Sequence, residues 1–224
     1  MKKFYLSFAI LFVVALSVVL SACGTGTGGT SIYRAGFNKE YSVRIVYTDS
    51  EGTTRVLIQP EKNDVFVYYR KDASGIRAYA NNKGTYYDAV NDDNDNPTAL
   101  TVAQFNAGEF YWDDWYATNN SITQLIAQRA ALLAAIEFDT VKQNLTDDGF
   151  TYVKSEEPFV INDKNYNEYV FTKDNVVQTL HVTADGWIVE SRTTTDGEQT
   201  SSFNVTIDAT ITAFPANIVL PTDE

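Results

Sequence analysis

The last part of the chain alternates strictly between apolar and polar residues. From Phe203 to Ala213 every second residue is apolar, and the residues between them are polar. The same two-residue period runs through YSVRIVYT, which begins at Tyr41. Successive side chains of a strand point to opposite faces of a sheet, so this period predicts strands with one buried face. Most of the chain is therefore expected to form β-sheet.

Short strand-like segments follow one another on both sides of a single helical segment. Dipeptides that end in glycine separate many of them: Glu51-Gly52, Ser74-Gly75, Lys83-Gly84, Asp185-Gly186 and Asp196-Gly197. Such pairs are typical of tight turns between antiparallel strands. The sequence therefore predicts two antiparallel meanders.

One long helix is predicted near residues 121–147. Ser121 and Gln124 have the spacing of a capping box. Apolar residues then recur at helical spacing as far as Leu145, and Gly149 stands where a glycine often ends a helix.

A size argument turns these elements into an architecture. A helix of about 25 residues is about 37 Å long and 10 Å wide. Strands lie about 4.8 Å apart, so one helix covers only two or three of about ten strands. We therefore expect an α+β fold in which a strongly curved, mainly antiparallel sheet forms a half-barrel around the long helix, as a single domain over residues 41–224.

The N-terminus has the layout of an export signal. Lys2 and Lys3 precede an apolar run from Phe4 to Leu20, and the sequence LSAC ends at Cys23, the only cysteine. LSAC resembles the lipobox of bacterial lipoprotein precursors. This resemblance implies a signal peptide over residues 1–22 and a lipidated Cys23. Residues 23–40, which begin the mature chain, then act as a flexible tether.

The lipobox resemblance also implies a location. Lipidated Cys23 would hold the protein on the extracytoplasmic side of a bacterial membrane, in the cell envelope. The formal net charge of −12 argues against nucleic acid as a partner, because nucleic acid needs a basic surface. Neither the oligomeric state nor the membrane that carries the anchor follows from the sequence.

The last 60 or so residues resemble the LolA-like superfamily, which includes LppX-type lipoproteins. The similar segments are YVFTKDNVVQTLHVTADGWIVES and the closing strand with FPANIVLP, which contains Ile218 and Pro221. The resemblance implies that the protein binds a lipid or another apolar ligand on a concave sheet face, without catalysis. The helix that this family usually has before its first strand is missing, because Gly24–Lys39 has no helical period.

Aromatic and aliphatic residues are candidates for the wall of a ligand cavity. They are Trp112, Trp115, Leu133, Ile136 and Trp187. The same aromatic residues fit a filled core equally well. The alternative function is a surface module that binds a protein or a glycan through exposed aromatic residues and acidic loops.

The sequence offers few groups for enzyme chemistry, and we expect neither catalysis nor a cofactor. His181 is the only histidine, and it lies in a strand-like segment where a structural role is expected. No second histidine is present to build a metal site with it. Asp92, Asn94 and Asn96 match the first ligands of an EF-hand loop, but Pro97 and Ala103 occupy positions that need glycine and glutamate. We therefore expect no metal site of the EF-hand type, and a calcium site on residues 92–96 stays open.

Overall fold

The computed structural model describes residues 43–60, 65–91, 99–114, 119–208 and 210–221. The predicted signal peptide, Cys23, the tether, Trp115 and residues 92–96 lie outside the described residues. What the sequence predicts for them stays a prediction.

Twelve strands are found in the described part of the chain. In chain order they are β1 (Val43–Asp49), β2 (Thr54–Gln59), β3 (Phe66–Asp72), β4 (Gly75–Asn82), β5 (Thr85–Val90), β6 (Tyr111–Asp114), β7 (Thr151–Lys154), β8 (Phe159–Ile161), β9 (Lys164–Lys173), β10 (Val176–Val182), β11 (Ile188–Thr195) and β12 (Glu198–Asp208). They form one open sheet in the order β6-β5-β4-β3-β2-β1-β12-β11-β10-β9-β7, and β8 pairs with β9 beside this path. Strand pairing is antiparallel.

Three helices occur among the described residues: α1 (Val102–Ala107), α2 (Asn119–Ile136) and α3 (Phe138–Asp147). The prediction of one long helix is therefore wrong. Glu137 has an extended backbone and forms a β-bridge with Trp187. The amide of Phe138 donates to the carbonyl of Gly186, so it does not form the hydrogen bond that a continuous helix would need at this position. No helix in the described ranges has the length and apolar character needed to span a membrane.

The described residues divide into two compact units. The first unit comprises those between 43 and 125 together with 203–221, and the second comprises Ile126–Ser202. Strand β12 contributes its last six residues to the first unit, where they pair with β1.

One face of the first unit's sheet carries a well-packed apolar cluster. Its buried members are Val56, Ile58, Val67, Ile76, Ala78, Ala80, Tyr87, Ala89, Leu100, Phe105 and Ile218. Phe105 reaches this cluster from α1, which starts with a capping box between Thr101 and Gln104. Partly buried Phe214 and Leu220 from the C-terminal segment also pack against it.

The expected half-barrel around a single helix is wrong for a physical reason. A half-barrel is needed only if one long helix has to cover the whole sheet. In the first unit, the short helix α1 and residues 211–220 cover an apolar face instead. The strictly alternating segment also ends earlier as a strand, at Asp208, whose carboxylate accepts hydrogen bonds from the amide and hydroxyl of Thr210.

In the second unit, apolar side chains of neighbouring strands are fully buried. Phe171, Leu180 and Ile188 come from β9, β10 and β11 in turn. Phe138 of α3 packs on Tyr169 of β9 with ring centroids 4.2 Å apart. The second unit thus has an apolar interior of its own.

We predict that Gly75→Ala destabilises the first unit more than Gly52→Ala does. Both glycines have positive φ, and the value of 125° at Gly75 lies further from the left-handed helical region than the value of 80° at Gly52. An added Cβ at Gly75 would lie 2.5 Å from the carbonyl oxygen of Leu100, which accepts a hydrogen bond from Ile76, whereas Gly52 has open space. We expect Gly75→Ala to lower the free energy of unfolding, measured in urea, by about 1–3 kcal/mol more than Gly52→Ala does. Equal losses for the two variants would contradict the packing described here.

Candidate functional site

Three ionisable side chains form a row across the second unit's sheet. Glu168 of β9 lies directly opposite His181 of β10, and His181 lies directly opposite Glu190 of β11. Directly opposite residues of antiparallel strands share a face and have Cβ atoms about 5 Å apart. Strand register alone therefore places a histidine between two carboxylates.

Both ring nitrogens of His181 are engaged by these carboxylates. Nδ1 lies 2.7 Å from Oε2 of Glu190, and Nε2 lies 3.1 Å from Oε2 of Glu168. An ionised carboxylate only accepts hydrogen bonds, so both contacts are satisfied when each ring nitrogen donates a proton. The arrangement therefore fits a positively charged imidazolium held between two negative charges.

Each carboxylate has a second donor. The hydroxyl of Ser155 donates to Oε1 of Glu168 at 2.7 Å. Arg192 donates to Oε1 of Glu190 through Nε at 2.9 Å and through Nη2 at 2.6 Å. The row is thus one connected network, and all four oxygens of the two carboxylates accept a hydrogen bond.

These bonds favour the ionised form of both glutamates. The hydrogen bond from Ser155, followed by that from His181, lowers the pKa of Glu168 below its ordinary value of 4.5. Burial acts to raise the pKa of Glu190, but the hydrogen bonds from Arg192 and His181 outweigh it, so this pKa is lowered as well. The two carboxylates are therefore ionised at neutral pH.

Phe159 of β8 covers the histidine ring. The two rings are stacked with centroids 3.8 Å apart and planes 4° from parallel. Only 3% of His181 is exposed. Stacking a charged ring on an aromatic face adds to the stability of the network when both are shielded from water.

This geometry gives the histidine no free nitrogen for acid–base chemistry. A general base must reach the proton that it removes, and both nitrogens already face carboxylates. Ser155 donates to Glu168 rather than to His181, so the serine and histidine do not form a nucleophile–base pair. Within the described residues, no group of three or more His, Cys, Asp or Glu side chains could hold a metal ion.

The predicted cavity residues lie in different parts of the fold. Leu133 and Ile136 are buried on α2, and Trp187 is half-buried in the turn before β11. The Glu137–Trp187 bridge brings the end of α2, where Ile136 lies, next to Trp187 in the second unit. Their role as a cavity wall stays a prediction.

Trp112 belongs to the first unit. It packs edge-on against Phe110, with ring centroids 5.3 Å apart, and contacts the apolar cluster of that unit. Its indole nitrogen is buried and has no hydrogen-bond partner among the described residues. Trp112 thus contributes to the packing of the first unit. Its role in the wall of a ligand cavity stays a prediction.

His181 stands out in the sequence as the only histidine, whereas its partners Glu168 and Glu190 do not stand out. One partner could have been found, because the hairpin that pairs Lys173 with Val176 sets Glu168 opposite His181. Glu190 could not have been found in this way, because the register of β10 and β11 shifts between His181 and Val182. Such a bulge leaves no clear signal in the residues around it.

Comparison of the chain with models of known protein families and with curated proteins found no match. The resemblance of its last residues to the LolA-like superfamily therefore stays a prediction.

We predict that the network stabilises the fold above the ordinary glutamate pKa and loses this effect in acid. Because both pKa values are lower in the folded protein, the stabilisation is present above pH 4.5 and disappears as the pH falls through the lowered values. The variant Glu190→Gln should have a free energy of unfolding about 1–3 kcal/mol lower than the wild type, measured in urea at neutral pH.

The matched control is Glu198→Gln, which removes an exposed charge from β12 in the same unit. The control should follow the wild-type stability from about pH 5 to about pH 3, whereas Glu190→Gln should show a flatter dependence. A Glu190→Gln variant as stable as the wild type, with the same acid dependence, would contradict a stabilising role.

Proposed function

We propose that this protein is a bacterial lipoprotein whose β-rich region binds a lipid or another apolar ligand without catalysis. In this proposal, Cys23 carries the lipid that anchors the chain on the extracytoplasmic side of a membrane. The support for the anchor is the sequence LSAC at residues 20–23, preceded by an apolar run. Two or more acyl chains on one residue give stable anchoring.

The observation that supports a non-catalytic role is the engagement of the only histidine. Glu168 and Glu190 occupy both nitrogens of His181, and Phe159 covers its ring. A histidine held in this way stabilises three adjoining strands but has no nitrogen to offer a substrate. A buried polar network whose members are all hydrogen-bonded rigidifies the strands that carry it.

The apolar character of the ligand is inferred from partly accessible aromatic residues. Trp112 and Trp187 are both half-buried, so part of each indole remains available for contact. Indole rings provide large apolar contact areas.

A second candidate is a surface module that binds a protein or a glycan. It is favoured by large apolar side chains that are exposed on the two strands at the ends of the strand order. Tyr111 of β6 is 68% exposed, and Val153 of β7 is 70% exposed. Exposed aromatic and apolar residues on edge strands are common in interaction surfaces.

Mass spectrometry of protein extracted from its host membrane tests the proposal in one experiment. Under denaturing conditions, we expect a chain that starts at Cys23 and carries the mass of a diacylglyceryl group and a further acyl chain. Under native conditions in neutral detergent, we expect an additional apolar molecule that leaves on denaturation.

The matched control is Cys23→Ser, which should keep residues 1–22 and carry no lipid mass. A wild-type chain that retains residues 1–22 would contradict the anchor. A correctly lipidated chain with no bound molecule, even after addition of phospholipid, would contradict the ligand proposal and favour the surface module.

A further inference from the structure

Three arginines lie side by side on one face of the first unit's sheet. Arg55 of β2 is directly opposite Arg70 of β3, and Arg70 is directly opposite Arg77 of β4. With strands about 4.8 Å apart, the row extends over about 10 Å. We call Arg55, Arg70 and Arg77 the arginine row.

Repulsion between the positive charges of the arginine row is unfavourable for the pairing of its strands. Like charges directly opposite each other on neighbouring strands destabilise the pairing. The whole chain carries a net charge of −12, so positive charges are scarce and yet three of them are neighbours here. A feature that costs stability without an evident structural gain is commonly a functional one.

Neighbouring acidic groups neutralise the arginine row only in part. Arg55 pairs with Asp49 at 2.8 Å, and Arg70 pairs with Asp72 at 3.1 Å through Nε alone. Arg77 has no ion pair among the described residues, and its charge acts on Asp72 only through space. Three guanidinium groups therefore share two carboxylates.

The arginine row is also accessible. The side chain of Arg70 is 52% exposed, that of Arg55 is 23% exposed, and Arg77 is an exposed residue. Arg55 lies over the ring of Tyr47 with its guanidinium carbon 5.6 Å from the ring centroid, which limits its motion. The row thus presents donors to solvent in a partly fixed arrangement.

The next row of side chains on the same face consists of Leu57, Tyr68 and Tyr79, followed by the carboxylates Asp88 and Asp113. Tyr68 of β3 lies directly opposite Tyr79 of β4, two residues along from Arg70 and Arg77. Burial raises the pKa of Tyr68, and the positive charges of Arg55 and Arg70 oppose this rise.

We infer that the arginine row is an anion-binding site that takes a phosphate group. Guanidinium groups present paired N–H donors in a plane, which match the oxygens of phosphate and form strong charge-assisted hydrogen bonds. The phosphate belongs either to a soluble compound or to a lipid headgroup, since both offer the same oxygens. This inference does not depend on the apolar ligand proposed above.

The test uses the full-length protein in neutral detergent and follows ligand binding by native mass spectrometry. Pyrophosphate is the soluble probe. Phosphatidylglycerol is the lipid probe, and a diacylglycerol with the same acyl chains is its phosphate-free counterpart. We expect the wild type to bind pyrophosphate, or to prefer phosphatidylglycerol over the diacylglycerol, and the arm that responds identifies the source of the phosphate.

The decisive variant is Arg70→Gln with Arg77→Gln, and its matched control is Lys71→Gln. Lys71 is an exposed cation on β3 whose side chain lies on the other face of the sheet. The double variant should lose at least about tenfold in affinity for the responding probe, whereas the control should bind as the wild type does.

Thermal unfolding separates a binding role from a structural one. Removal of like charges from directly opposite positions should leave the melting temperature of the double variant unchanged or raise it. The inference is overturned if the wild type binds neither pyrophosphate nor phosphatidylglycerol in preference to the diacylglycerol. It is also overturned if the double variant binds normally, if Lys71→Gln loses binding equally, or if the double variant melts at a lower temperature.

Discussion

The antiparallel register of the strands is the constraint on which the described features of this protein depend. The side-chain period of a strand is two residues, so a slip of one residue would move every side chain to the other face. In the first unit, β1 pairs with β2 so that Val46 lies opposite Val56, and both belong to the packing of the apolar cluster. Register thus decides which side chains are buried and which ionisable groups become neighbours.

Register produces two rows of ionisable side chains with opposite properties. The Glu168–His181–Glu190 row is closed, because each polar atom has a partner and Phe159 covers the ring. The arginine row is open, because two carboxylates serve three guanidinium groups. A closed network stabilises strands, whereas an open row of like charges costs stability and is available to an anion. We therefore assign a structural role to the first and a binding role to the second.

Some of these features can be predicted from the sequence, and others cannot. Alternation reveals strands such as β12, because one face is buried, but Asp208 ends that strand where its carboxylate binds Thr210. The turn that pairs Asp72 with Gly75 sets Arg70 opposite Arg77, so that pair could be predicted. The pairing of His181 with Glu190 could not be predicted, because a bulge follows His181. If the register of the Val182–Ile188 pair continued without the bulge, Val189 would lie opposite His181. The break at Glu137 depends on Trp187, fifty residues away in the chain, and local helical periodicity has no access to such a contact.

The most direct test of the account concerns the hydrogen atoms on the His181 ring. Since the chain has a single histidine, nitrogen NMR of its ring is free of overlap. We predict that ring N–H hydrogens of the folded protein exchange slowly with water, because both ring nitrogens face a buried or half-buried carboxylate. Ring N–H hydrogens that exchange as fast as those of a solvent-exposed imidazole would contradict the closed network.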